Sequence, residues 1–180
     1  MITCSDLFEV YLTALSEAPS SWARYTDNVG WTAEVARALA RSGRTAFPHG
    51  EVTARGHRDT YTRGESLAFD VCITDPDSWA PPRFVAHHER TPRRASIHHA
   101  AWKLLATHSE KRILVAYYDA GSDVRDRAAL EEVIRDVAKD NPGVQAPKDI
   151  YLFSADYNAR PSSADELRAL HASTIIGVLR

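Results

Sequence analysis

The spacing of apolar residues changes several times along the chain, and these changes predict an alternation of helices and strands. Apolar positions three or four residues apart mark the helices, whereas short alternating or continuous apolar runs between turn residues mark the strands. The predicted helices cover residues 6–17, 31–42, 95–107, 124–139 and a short segment ending at Leu170, and the predicted strands lie within 46–56, 65–75, 83–90, 112–119, 149–154 and 173–180. The first two strands are predicted to form an antiparallel hairpin. The order α-α-β-β-β-α-β-α-β-α-β indicates an α/β fold with a mixed central sheet and helices on both faces.

Polar and small residues at the ends of these segments predict where several helices begin and end. Ser5 and Thr32 precede apolar stripes and are predicted to cap the first two helices. Gly43 follows the stripe of the second helix and is predicted to end it. Ser162 or Ser163 is predicted to cap the short helix near the end of the chain.

Composition limits the class of protein. The 180 residues carry a formal net charge of −2 and are 44% hydrophobic, which suits one folded domain over residues 1–180 and excludes a disordered chain. No apolar run approaches the roughly 20 residues that cross a bilayer, so we expect no membrane association. The two cysteines, Cys4 and Cys72, form no disulfide framework, which favours a reducing, cytoplasmic setting.

Positive charge is concentrated in the middle of the chain. Residues 41–112 contain 12 Lys+Arg against 8 Asp+Glu, a net of +4, whereas residues 122–170 contain 7 against 10, a net of −3. Arginine dominates the basic residues and binds phosphate in a bidentate manner, so the central segment is compatible with an anionic partner. A general bias toward arginine explains the same composition without any such partner.

Charged residues within apolar strand segments are the main candidates for chemistry. Asp70 interrupts the second strand, where a carboxylate must be paired, hydrogen-bonded or metal-bound. His87 and Glu89, two residues apart in the third strand, project from one face. If the two strands are adjacent, the three side chains converge into an oxygen-rich site that suits Mg²⁺ or Mn²⁺. The alternative is structural: Asp70 pairs with a nearby arginine, and Glu89 lies in solvent at the strand end.

The same elements resemble the PD-(D/E)xK nuclease superfamily, which has the restriction-endonuclease-like fold. The resemblance lies in a helix, three strands, a helix and a strand over residues 31–118, with Asp70 in the second strand and an acidic residue in the third; residues 119–180 would be an αβαβ extension. The chain also looks like a bacterial branch of that superfamily, in which a Glu-x-Glu strand precedes a helix containing Lys-Leu-Leu. Here the strand has His87-His88-Glu89 and the helix has Lys103-Leu104-Leu105.

The resemblance implies specific roles. Asp70 takes the position of the metal-binding aspartate, and Glu89 takes the Lys-or-Glu position of the third strand. His87 stands where the family has an acidic ligand, and imidazole suits Mn²⁺ better than Mg²⁺. Glu34 matches a glutamate that can bind a second metal through water. Lys103 matches a catalytic lysine that has moved to the helix, although most lysines at such positions are only solvated.

Six arginines flank the predicted carboxylates and are candidates for binding the phosphodiester backbone. They are Arg55, Arg58, Arg63, Arg90, Arg93 and Arg94. The alternative is that these loops are simply solvated.

These features together predict a divalent-metal-dependent nuclease-like domain that hydrolyses phosphodiester bonds in DNA or RNA. The histidine at position 87 also leaves open a catalytically inactive member of the same fold that binds a protein or nucleic acid. A small regulatory or immunity-type protein with an acidic interaction surface is a third reading. The sequence leaves open whether the chain forms a homodimer.

Overall fold

A computed structural model describes residues 2–17, 25, 27–54, 69–77, 79–140 and 148–178 of the chain. The helices are α1 (Cys4–Glu17), α2 (Asn28–Ala46), α3 (Arg94–Ala106), α4 (Arg127–Asp140) and α5 (Ala164–Leu170). The strands are β1 (Glu51–Ala54), β2 (Val71–Thr74), β3 (Phe84–Glu89), β4 (Lys111–Tyr118), β5 (Lys148–Asp156) and β6 (Ala172–Val178). Their order along the chain agrees with the order predicted from apolar spacing.

The strands form one mixed six-stranded open sheet in the order β1-β2-β3-β4-β5-β6. Strand β2 pairs antiparallel with β1 on one side and with β3 on the other. The predicted antiparallel hairpin of the first two strands is therefore confirmed. The strands from β3 to β5 are parallel, and β6 returns antiparallel to β5. The carboxyl ends of β3, β4 and β5 therefore meet at the same edge of the sheet.

Two apolar cores cover the two faces of the sheet. Side chains of α1, α2 and α5 pack on the first face, and side chains of α3 and α4 pack on the second. Alternation along β3 sends Phe84 and Ala86 to the first face and Val85 to the second. By the same alternation, His88 points to the first face, whereas His87 and Glu89 point to the second.

Several predicted boundaries were wrong. At the start of α1, the side chains of Thr3 and Asp6 each accept a hydrogen bond from the other's backbone N–H, and Ser5 lies inside the helix. Asp27 caps α2, and Thr32 lies within it. Of the two serines predicted to cap α5, Ser163 is the cap.

Gly43 lies inside α2 and does not end it. A Cβ built at this position would lie 2.4 Å from Ile73 Cδ1 and 3.2 Å from the Phe84 ring. Glycine is needed here because the helix packs closely on the sheet, and the helix continues to Ala46.

In the part of the chain that the structure describes, no helix combines the length and the apolar character that a membrane span requires.

Candidate functional site

Asp70 lies directly before β2 and not in the middle of the strand, as its apolar neighbours had suggested. Its backbone N–H donates to the Ala86 carbonyl at 3.1 Å, so pairing with β3 begins at this residue. Only 4% of Asp70 is exposed. Its Oδ2 accepts a hydrogen bond from the His88 N–H at 2.8 Å and lies 2.9 Å from His87 Nδ1. The carboxylate is thus held by two consecutive residues of β3.

These contacts keep Asp70 ionised despite its burial. Burial acts to raise the pKa of the carboxyl group, but the contact with His87 and the hydrogen bond from the His88 amide outweigh burial and lower the pKa below its ordinary value. The His87 ring N–H is not well aligned for a hydrogen bond at this distance. The pair is therefore a close carboxylate–imidazole contact at the second face of the sheet.

Glu89 points to the same face as His87, but its carboxylate is used locally. Its Oε1 accepts a hydrogen bond from the Thr91 N–H at 2.8 Å, which holds the turn between β3 and α3. Among the described residues, no group of three or more His, Cys, Asp or Glu side chains is placed to hold a metal ion. One face of the sheet therefore carries Asp70, His87 and Glu89, but their side chains do not form a metal site in this arrangement.

Lys103 reaches the same region from α3. Its ammonium lies 5.7 Å from the centre of the Phe69 ring, and the edge of that ring meets the His87 ring at a centroid distance of 6.5 Å. Phe69 is buried and immediately precedes Asp70. One aromatic side chain therefore contacts both the imidazole and the lysine on the second face.

Glu34 is not brought to this site. Helix α2 packs on the first face of the sheet, whereas Asp70 contacts His87 at the second face. The Glu34 carboxylate is 3.0 Å from Arg37 Nε, one turn along the same helix. The structure gives Glu34 an ion-pairing role within the helix.

The candidate arginines fall into separate groups. Arg55, Arg58 and Arg63 lie outside the described residues. Arg94 is paired with Asp136 at 2.6 Å on the neighbouring helix α4. This pairing reduces its availability for phosphate.

Arg90 is tied to the backbone that precedes α2. Its terminal nitrogens donate to the carbonyls of Tyr25 and Asp27, and its guanidinium lies over the rings of Tyr25 and Tyr157. Its Nε is buried and has no hydrogen-bond acceptor among the residues that the structure describes. Arg93, at the start of α3, is exposed.

His88 enters a buried polar network on the opposite face. Its Nε2 lies 3.2 Å from the Tyr117 hydroxyl, which accepts a hydrogen bond from Trp31 Nε1 at 2.6 Å. Burial lowers the pKa of His88 to about 3. The imidazole is therefore neutral and can accept a hydrogen bond from the Tyr117 hydroxyl, so this histidine supports the core.

A polar crevice that the sequence reasoning missed lies at the carboxyl edge of the parallel strands. Its volume is about 700 Å³, and segments that follow β3, β4 and β5 line it together with one residue of α2. The lining residues are Thr32, Arg90, Thr91, Pro92, Arg93, Asp119, Gly121, Ser122, Asp123 and Tyr157. The short polar segment 119–123 directly after a buried strand is the sequence signal that could have indicated it.

No match was found when the chain was compared with models of protein families, with curated proteins and with solved structures. An interpretation of the site therefore depends on its own residues and contacts.

Proposed function

We propose that this chain is a nuclease-like domain that hydrolyses phosphodiester bonds in DNA or RNA, with a restriction-endonuclease-like core over residues 31–118. The order of α2, an antiparallel β1-β2-β3 meander, α3 and a β4 strand parallel to β3 supports this proposal. The observation that carries it is the contact between Asp70 Oδ2 and His87 Nδ1 at 2.9 Å, on the sheet face that Glu89 and Lys103 share.

The chemistry of these residues suits removal of a proton from the nucleophile that attacks a phosphodiester. The ionised Asp70 carboxylate lies beside Nδ1 of His87 and leaves Nε2 as the ring nitrogen that can act on a substrate. The ring can take a proton at Nε2 from an attacking water or hydroxyl while the oxygen of that group bonds to phosphorus. The bond from phosphorus to the leaving oxygen then breaks, and solvent protonates that oxygen. Lys103 would stabilise the negative charge that develops on the phosphate oxygens in the transition state.

A divalent cation is part of the expectation from the sequence, and its ligands would be Asp70, Glu89 and His87. As these residues lie, Asp70 Oδ2 is held by His87 and the His88 amide, and Glu89 Oε1 is held by the Thr91 amide. This arrangement does not fit a metal ion, so we assign no step of the reaction to one. Whether cleavage requires Mg²⁺ or Mn²⁺ is therefore a separate question from whether the chain cleaves at all.

A second candidate is a domain of the same fold that binds nucleic acid or a protein without cleaving. The engagement of Asp70 Oδ2 by two β3 residues favours it, because the same contacts stabilise the junction of β2 and β3 without any reaction. Under this reading, Asp70 and His87 are structural.

Cleavage of supercoiled plasmid and of end-labelled single-stranded DNA and RNA tests the proposal, with EDTA, Mg²⁺ and Mn²⁺ as parallel conditions. We expect the native chain to cleave at least one substrate. His87→Gln should slow cleavage by about 100-fold or more, because general acid–base catalysis contributes factors of this size. His108→Gln, at an exposed histidine in the loop after α3, is the matched control and should cleave at the native rate.

Cleavage that is unchanged in both His87→Gln and Asp70→Asn would contradict the proposed site. Binding of a labelled oligonucleotide without cleavage under every metal condition would instead favour the second candidate. Cleavage that persists in EDTA would show that no divalent cation is needed, whereas cleavage only with Mn²⁺ would support the expected cofactor.

A further inference from the structure

The crevice at the carboxyl edge of the sheet lies where open α/β sheets commonly bind ligands, outside the ends of parallel strands. The three parallel strands end at Glu89, Tyr118 and Asp156, and the loops after them form the walls. Helices α3 and α4 follow their strands on the second face of the sheet, whereas α5 follows β5 on the first. The face on which the chain leaves the sheet therefore switches between β4 and β5, at the crevice. A volume of about 700 Å³ is within the range of small-molecule sites.

An exposed arginine gives the crevice hydrogen-bond donors for an anionic ligand. Arg93 is exposed, and within the described part of the chain its guanidinium forms no ion pair. Arg90 is less accessible, because its terminal nitrogens donate to two backbone carbonyls and its Nε is buried. A phosphate oxygen in the crevice would accept hydrogen bonds from the exposed Arg93 guanidinium.

Two carboxylates limit how much negative charge the crevice can take. Asp119 Oδ1 accepts hydrogen bonds from the Gly121 N–H and the Asn158 side chain. Both oxygens of Asp123 accept from the Arg94 N–H at the start of α3. These carboxylates offset the charge of the two arginines, so the lining disfavours a chain of phosphates.

We propose that this crevice binds a single nucleotide, whose phosphate accepts hydrogen bonds from Arg93 and whose base packs on Tyr157. Tyr157 lines the crevice and lies against the Arg90 guanidinium, with a ring-centre distance of 5.5 Å. Aromatic rings bind bases of any sequence. The crevice is large enough for a nucleotide and too small for a duplex.

The kind of nuclease substrate that we infer from the crevice rests on the proposed function. Thr91 lines the crevice, and its amide is bonded to Glu89, two residues beyond His87 along β3. A strand advances about 3.3 Å per residue, so the crevice begins within about two nucleotides of the Asp70–His87 pair. The substrate would therefore be a single strand or an unpaired end, with one nucleotide held in the crevice next to the reacting phosphodiester.

The test is a titration of the full chain with adenosine 5′-monophosphate, followed by amide NMR spectra. We expect shifts at Gly121 and Ser122, whose amides belong to the crevice wall, and at least tenfold weaker binding of adenosine and of inorganic phosphate. Arg93→Gln should weaken binding of the nucleotide at least tenfold. The matched control is Arg44→Gln, at an exposed position about 18 Å along α2 from Thr32, and it should bind like the native chain.

Equal binding by Arg93→Gln and the native chain would overturn the inference, as would equal affinity for adenosine and its monophosphate. A parallel assay on single-stranded and duplex oligonucleotides separates the two proposals. Cleavage that depends on His87 but not on Arg93 would keep the proposed function and overturn the crevice. Nucleotide binding that depends on Arg93, in a chain that cleaves nothing, would keep the crevice and remove the proposed function.

Discussion

Trp31 Nε1 donates a hydrogen bond to the Tyr117 hydroxyl at 2.6 Å, and this contact joins α2 to β4 across 86 positions of sequence. Both residues are at most 1% exposed. The same hydroxyl lies 3.2 Å from His88 Nε2, so one oxygen serves two buried polar groups. The interior of the first face is therefore held by hydrogen bonds as well as by apolar packing.

Tyr117→Phe should lower the free energy of unfolding by about 1–3 kcal/mol, since the Trp31 N–H would lose its acceptor in the core. Urea denaturation measures the change. Tyr118→Phe is the control, because the next residue points to the other face and is partly exposed; its effect should stay within about 0.5 kcal/mol. Equal effects of the two changes would show that the hydrogen bond does not stabilise the fold.

Asp70 should respond differently to two substitutions. Asp70→Ala leaves the His88 N–H without an acceptor in a buried position, and the cost should be about 2 kcal/mol in the free energy of unfolding. Asp70→Asn keeps an amide oxygen that can accept the same hydrogen bond, so it should cost about half as much. Denaturation of both variants checks this order, and a larger loss in the asparagine variant would contradict the hydrogen-bonding role.

Stability should fall between pH 7 and pH 5. Burial lowers the pKa of His88 to about 3 and of His171 to about 4, both below the ordinary value of 6.5. Over this range the unfolded chain binds protons that the folded chain does not, so acidification favours unfolding. Each histidine contributes up to about 1.4 kcal/mol per pH unit below pH 6.5.

Urea denaturation at pH 7, 6 and 5 measures this slope. His171→Phe keeps an aromatic ring against Tyr11 and removes one of the two histidines whose pKa is lowered. The free energy of unfolding of this variant should therefore change with pH about half as steeply as that of the native chain. A variant with the native slope would show that His171 does not carry this dependence.

The order of elements could be predicted because each helix and strand buries an apolar stripe that its own sequence shows. The ends were harder, since they depend on contacts outside the element. Glycine is common at helix ends, yet Gly43 lies inside α2. The reason is packing, because Ile73 and Phe84 leave no room for a Cβ at this position. Local propensity indicated one role, and packing against the sheet determined another.

The candidate site likewise combines features that the local sequence indicates with features that only the three-dimensional packing determines. The sequence indicated that Asp70 needs a partner and that His87 and Glu89 share a face, because both follow from burial and strand alternation. It did not show that Asp70 Oδ2 is held by consecutive residues of β3, since that depends on the pairing register. The crevice depends on the sheet order, which brings together loops from distant parts of the chain.

Gly43→Ala should lower the free energy of unfolding by about 1–3 kcal/mol, although alanine is the better helix former. The reason is the 2.4 Å approach of the new Cβ to Ile73 Cδ1, at a side chain that is fully buried. Ile73→Val removes that terminal carbon and costs about 0.5–1.5 kcal/mol on its own. In the double variant, Gly43→Ala should cost much less than in the native background, because the methyl group takes the space of the deleted carbon. A double-mutant cycle by urea denaturation measures this coupling, and strictly additive effects would refute close packing of α2 on β2 as the reason for glycine at this position.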